Sequence, residues 1–307
     1  LTACKRDNEP RQTQDVNERL VAKKQLYCEL SKPAYEKVGY VHGRCDGLLF
    51  TALRGIGCGD VDIGTFQNAE GRWYRDPEHD CFIADRPQVE NGSDSSISKD
   101  MMVGAMNYLW WSKDLPKIDA TIKYGKANNW VMGDAVDFET TSSKCLLSPG
   151  LVSLLFDMQE NLSLGSISNT SQRTDVIPIN TGFRAHLDVL HILLSGSVFG
   201  ALTDSEVETL KKQAKRQPRN ALFQAAYHLY TDGDQTIATE LLMDESHFPN
   251  DKLPTNHDNH CTEYLYQRDD EPKDWSPCAD GKLEEYSGTD LAFAVSIIDG
   301  SFLKRKP

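Results

Sequence analysis

No stretch of the sequence reaches the roughly 20 consecutive apolar residues that carry a helix across a bilayer, so no membrane-spanning helix is expected. Strand signals are almost as scarce. No sustained alternation of β-branched and polar residues occurs, and no Asn-Gly or Asp-Gly pair separates two such runs, which disfavours a sheet. GxxxxGK[ST], GxSxG and CxxC are all missing, which removes the phosphate-binding loop, the serine-hydrolase elbow and the simplest thiol pair. Positive charge is in deficit. The 33 Lys and Arg against 46 Asp and Glu leave a net charge of -13, and the basic residues are scattered except at Lys304, Arg305 and Lys306. Such a surface repels a phosphate backbone, so no nucleic acid is expected as a partner.

The 39% hydrophobic and 26% charged residues are enough for a sizeable core in one large domain. The first residue is not methionine, and Leu1-Thr2-Ala3-Cys4 resembles a bacterial lipobox, in which the cysteine becomes the lipidated first residue. That resemblance implies export to the bacterial cell envelope and a membrane attachment made only through a lipid anchor at Cys4. Residues 1–13 then form a tether and 14–307 a single helical domain. Eight cysteines fit an exported protein better than a reducing cytosol, and seven remain once Cys4 is set aside, so one is left without a partner. Cys45 with Cys58 and Cys261 with Cys278 are plausible loop staples. Sequons at Asn91, Asn161 and Asn169 carry less weight than the lipobox.

One local pattern recurs five times: a polar or acidic head, a run of small and apolar residues, and often a glycine stop. It begins at Cys45, Ser96, Thr181, Pro218 and Tyr286. Helices this apolar must pack on one another, and their heads can then line one rim. Around them the periodicity predicts helices over Gln14 to Leu30, ended by Pro33, over Ile118 to Asn128, over Ser148 to Asn161 and over Gln235 to Met243. Another spans Thr203 to Arg216, with Thr203 and Glu206 as a capping box. The segments from Gly59 to Ser98 and from Phe248 to Glu285 have little periodicity. The expected fold is all-α: stacked helix hairpins forming an (α/α) toroid with long irregular inserts, with an open helical solenoid or bundle as the other arrangement.

Two of the segments carry a family resemblance. Glu285 with YSGTDLAFAVSIIDG resembles the closing segment of the unsaturated glucuronyl and rhamnogalacturonyl hydrolases, and SISKDMMVGAMNYLWW is similar to their catalytic-aspartate helix, without its double aspartate. The resemblance covers about a tenth of the chain and implies an (α/α)-toroid carbohydrate-active enzyme.

The residues themselves allow that chemistry. Asp46, Asp100 and Asp290 stand at or near the starts of three patterned helices, and glycosidic cleavage needs one protonated and one ionised carboxyl. Aspartate also caps helices and complements their dipoles, so the same positions suit a structural role. Asp100 is the first choice for the acid or base, because Asp94, Ser96 or Ser98 is available as the cap. Arg72, Trp73 and Arg75 form an aromatic and basic cluster suited to a sugar subsite, with Tyr74 between them. Arg184 suits a carboxylate, and His186 is either a second contact or a packed residue. The expected activity is cleavage of a polysaccharide or oligosaccharide by hydrolysis or by lyase chemistry, the competing class being a surface lipoprotein that binds glycan or a protein. No cofactor is called for. The cluster from His257 to Cys261, the acidic run Asp76, Glu78, His79 and Asp80, and the pairs Asp60 with Asp62 and Asp232 with Asp234 do not complete a ligand set, so no metal is assigned.

Overall fold

The computed structural model describes residues 9–38, 47–75, 97–133, 145–165, 183–246, 248–253 and 288–304. These residues are all-α: among them the regular elements are helices, joined by two isolated β-bridges. In chain order they are α1 (Glu9–Val38), α2 (Gly47–Cys58), α3 (Lys99–Ser112), α4 (Leu115–Ala127), α5 (Pro149–Leu164) and α6 (Phe183–Phe199). Then follow α7 (Asp204–Arg216), α8 (Ala221–Leu229), α9 (Thr236–Met243), α10 (Thr289–Ile298) and the short α11 (Ser301–Lys304).

The five patterned segments become α2, α3, α6, α8 and α10, and these are the interior of the molecule. In α2 every residue from Gly47 to Gly57 is buried, and α3 and α10 are buried along nearly their whole length. A helix apolar all round has to be a core helix. Contacts among the five close a circuit: α2 packs on α3, α3 on α6, α6 on α8, α8 on α10 and α10 on α2. The other long helices bury one stripe only. In α7 it is Glu206, Thr209, Leu210, Gln213 and Ala214, and in α4 it is Ile118, Thr121, Ile122 and Gly125.

Side-chain contacts fix the helix directions. Leu49 and Gly55 of α2 meet Gly104 and Tyr108 of α3 in the same order, so the two run parallel. Asn107 Nδ2 donates to Leu190 O at 3.1 Å and Trp110 Nε1 to Ser197 Oγ at 2.8 Å, so α6 runs parallel to α3. All three therefore begin at one end of the molecule. The expected capping box is present: Thr203 Oγ1 accepts from Glu206 N at 3.3 Å, and Thr203 N donates to Glu206 Oε2 at 2.7 Å.

Three local expectations are corrected. Pro33 does not end α1, which runs on to Val38 and starts already at Glu9, so residues 9–13 are its first turns. A proline at this position leaves the carbonyl four residues back, that of Glu29, without its helical donor, and α1 continues through it. Ser31 Oγ bonds Tyr27 O at 2.7 Å, and Arg54 Nη2 bonds Cys28 O at 3.0 Å. Cys58 pairs with Cys28, 30 residues upstream, rather than with Cys45, because α1 lies along α2. The buried Arg54 completes that seam, bonding Ser31 and pairing with Asp60 at 2.6 Å. Cys145 carries a free, buried thiol, while Cys261 and Cys278 lie outside the described residues. Gly57 does not stop α2 but lies inside it, and the chain leaves after Cys58 through Gly59 at φ +77°.

Candidate functional site

Part of the segment read as an irregular insert is tightly built. Residues 59–75 fold onto α4 through a 3-10 turn, Gly64–Phe66, and a bridge between Gln67 and Trp73. Asn68 holds the loop from inside. Its Oδ1 accepts from Glu70 N at 3.0 Å and Arg72 N at 2.9 Å, and its Nδ2 donates to Tyr74 Oη at 3.3 Å. Gly71 sits at φ +93°, and a Cβ there would fall 2.1 Å from Ala120 O, so only glycine lets the loop lie this close to α4. Gln67 Nε2 and Trp73 Nε1 each donate to Thr121 Oγ1 at 2.9 Å.

Extended residues point alternately to opposite faces, and that alternation corrects the reading of Trp73. The indole is 0% exposed and belongs to the core, where no sugar can stack on it. Its neighbours Arg72 and Tyr74 face the other way and line an open groove of about 860 Å³, with the guanidinium 5.0 Å from the Tyr74 ring. The opposite wall is the end of α4 and the turn after it: Lys123, Tyr124, Ala127, Asn128, Asn129 and Val131. The volume falls within the range of small-molecule sites. The lining is polar, with two tyrosines, three asparagines and the charges of Glu70, Arg72 and Lys123.

A second cluster lies where α2 and α3 begin. Asp100, in the first turn of α3, is half-buried and takes a hydrogen bond from the hydroxyl of Ser98, which stands at the N-cap position but makes no side-chain capping bond to the helix backbone. Arg75 O accepts from Leu48 N at 2.9 Å, which ties Arg75 to the first turn of α2. The charges of both reach Cys145. Burial pushes that thiol up to about 12, the Asp100 charge adds to the rise, and Lys99 and Arg75 oppose it. A thiol so raised stays protonated and is no nucleophile. Arg184 is exposed in the first turn of α6, at the same end as Asp100 because α3 and α6 are parallel. His186, two residues on, is 1% exposed and faces inward, so the contact to substrate expected of it is corrected to a packed core residue.

Asp290 is not part of this cluster. A Cβ on Gly57, near the C-terminal end of α2, would fall 2.7 Å from the Ala292 carbonyl carbon. Asp290 therefore lies beside the C-terminal half of α2, and Asp100 beside the other end, about 15 Å away at 1.5 Å per helical residue. Its carboxyl is 8% exposed, and Oδ1 has no hydrogen-bond partner. Burial alone holds its pKa well above the usual carboxylate range, which favours the neutral acid over the charged form. The expected common rim of carboxylates thus does not include both Asp100 and Asp290. Asp46 and Cys4 lie outside the described residues.

Among the described residues no group of three or more His, Cys, Asp and Glu side chains is placed to hold a metal ion. Asp232 instead bonds His228 Nδ1 at 2.7 Å, and Asp234 bonds Thr236 Oγ1 at 2.6 Å, as local turn and cap contacts. The His257 to Cys261 cluster and the run from Asp76 to Asp80 lie outside the described residues. Sequence reasoning missed Asn68, Lys123, Tyr124, Asn128 and Asn129. The one local signal was a pair of asparagines just past a helix end, where left-handed backbone is common. No protein-family model, curated protein or solved structure matches the chain.

Proposed function

We propose that this protein binds a carbohydrate chain, a polysaccharide or oligosaccharide, in the groove between the Asn68–Tyr74 loop and the end of α4. The observation that carries the reading is the composition of the groove: tyrosines able to face sugar rings, beside amides and charged groups able to bond hydroxyls in pairs. On the proposal, the molecule is exported and held at the bacterial envelope by a lipid on Cys4. Calorimetric titration of the purified chain with cellohexaose and hexagalacturonate tests the binding. Tyr74→Ala is expected to weaken the bound sugar about tenfold, roughly 1.4 kcal/mol, with the thermal midpoint little changed. Failure of every oligosaccharide to bind the unaltered chain would sink the reading.

Hydrolysis is the second reading, and Asp100 favours it, being a half-buried side chain in the first turn of a helix and bonded by the Ser98 hydroxyl. A partner carboxyl about 5 to 10 Å away is required. New reducing ends that disappear in Asp100→Asn, with unfolding unchanged, would make the protein a hydrolase. Absorbance from unsaturated products would make it a lyase, and binding without either leaves it a binding protein.

A further inference from the structure

Trp130 stands in the middle of the groove's second wall and does not line it. Asn128, Asn129 and Val131 on either side face the groove. The Trp130 ring turns the other way and lies over Gly125, where a Cβ would fall 2.4 Å from its Cε3. It also meets Phe156 of α5 edge-on, with centroids 5.6 Å apart. The ring is thus a wedge between the last turn of α4 and the face of α5.

The backbone at this point is held against its own preference. Asn129 and Trp130 are consecutive residues at φ +51° and +62°, and neither is glycine. Asparagine tolerates the left-handed region, but a bulky aromatic residue there is an outlier that persists only when its surroundings impose it. On the groove side Asn128 Nδ2 donates to Tyr124 O at 2.9 Å and Val131 N to Asn128 O at 3.0 Å, and further constraints on the turn come from behind. Trp130 N donates to Gly125 O at 2.7 Å, Leu147 N to Trp130 O at 3.0 Å, and Met132 N to Cys145 O at 2.7 Å. The first wall is built the same way: Trp73 is sunk beside Thr121, and its neighbours Arg72 and Tyr74 are turned into the groove.

We infer that Trp130 is a positioning residue for the groove: its ring, wedged over Gly125, locks the left-handed turn that presents Asn128, Asn129 and Val131 as a pre-formed wall. A pre-formed wall spares a ligand the cost of ordering it. The ligand part of this inference rests on the carbohydrate-binding reading, and the wall itself does not.

The test uses the full chain with Trp130→Ala, Trp130→Phe and Gly125→Ala. The last sets a methyl against the ring from behind. Hydrogen exchange at the Trp130, Val131, Met132 and Leu147 amides is followed in the free protein, and cellohexaose and hexagalacturonate binding by calorimetry. Trp130→Ala and Gly125→Ala are expected to speed exchange at these four amides at least tenfold over the unaltered chain, with distant amides of α3 and α10 unchanged. Trp130→Phe should fall in between. Whichever oligosaccharide the unaltered chain binds should bind at least tenfold more weakly to the first two variants. Exchange unchanged in Gly125→Ala and Trp130→Phe would overturn the inference, even if Trp130→Ala failed to fold. Exchange that speeds while affinity holds would overturn the positioning role. If the unaltered chain binds neither sugar, the carbohydrate reading fails by itself, and the exchange rates still decide whether Trp130 locks the wall.

Discussion

The first turns of α3 and α10 are near copies in sequence and opposites in the folded molecule. Each has small polar residues before it, an aspartate at its second position, and then a run that is buried on every side. Asp100 is half-buried and bonded by the Ser98 hydroxyl. Asp290 is sealed in the core with Oδ1 unbonded, on a helix whose cap is Gly288 in the left-handed conformation. The local pattern determines that a helix starts. Whether its head meets solvent depends on where the helix is packed: the head of α10 lies beside the C-terminal half of α2, and that of α3 beside its N-terminal end.

That difference rests on contact at Gly57, so breaking it should have the largest effect. Gly57→Ala sets a methyl against the backbone of Ala292, which cannot move without shifting α10. A loss of about 3 kcal/mol in unfolding free energy is expected, the upper end for overpacking a close contact. The matched change on the other side is Gly104→Ala, whose methyl meets the Cδ1 tip of Leu49 at 2.6 Å. That side chain can turn aside, and alanine regains about 1 kcal/mol of helix propensity, so this variant should stay close to the unaltered chain. Urea unfolding of the two variants decides the point. Equal losses would mean that backbone contact is not what positions α10.

The buried position of Asp290 should also show in its response to pH. The folded-state pKa of Asp290 lies well above its ordinary 3.8, with burial as the cause. The unfolded chain releases this proton first as pH rises, so the stabilising contribution is complete below the ordinary value and is lost as pH climbs through the raised one. Asp290→Asn cannot ionise. Its unfolding free energy should match or fall below that of the unaltered chain at pH 4 and exceed it by about 1 to 2 kcal/mol once the carboxyl would have charged, the scale of an unpaired buried polar group. Parallel pH profiles for Asp290→Asn and the unaltered chain would show that the carboxyl is solvated.

The same distinction between local and long-range information explains what could be read in the sequence. Helix existence was legible because it is written in neighbouring residues: the apolar runs, Pro149 in the first turn of α5, Thr203 and Glu206 closing their box. Pro33 misled because the local cost of a proline is set against tertiary packing, here of α1 on α2 and α10. Trp73 misled because a cluster of aromatic and basic residues does not say which of them faces inward until Thr121 is there to bond the indole. The groove was hidden for the same reason. Its walls are about fifty residues apart and meet through Gln67 and Thr121, and its second wall depends on a left-handed tryptophan that no glycine marks.

A smaller effect sharpens the contrast between the two sides of α2. Lys23 lies on the inward stripe of α1 with Leu20 and Tyr27, and α1 packs on α10. Its amine is 4% exposed and Nζ has no hydrogen-bond partner. Burial lowers its pKa from 10.5 to about 8, and the nearby charges of Glu245 and Asp244 offset only part of that fall. Here the unfolded chain binds the proton more tightly. The contribution to stability is therefore full above 10.5 and is lost as pH falls through about 8. Lys23→Met keeps the length of the stem without the charge, and at pH 7 it should gain about 1 kcal/mol, the amount of a modest buried polar penalty. The gain should shrink as pH rises from 8 to 10.5. A gain independent of pH would assign the effect to packing, and no gain at pH 7 would mean that Asp244 and Glu245 already balance the buried charge. The pH-dependent outcome would set a second uncompensated ionisable group on the α10 side of α2, where burial dominates, against the bonded carboxylate on the α3 side.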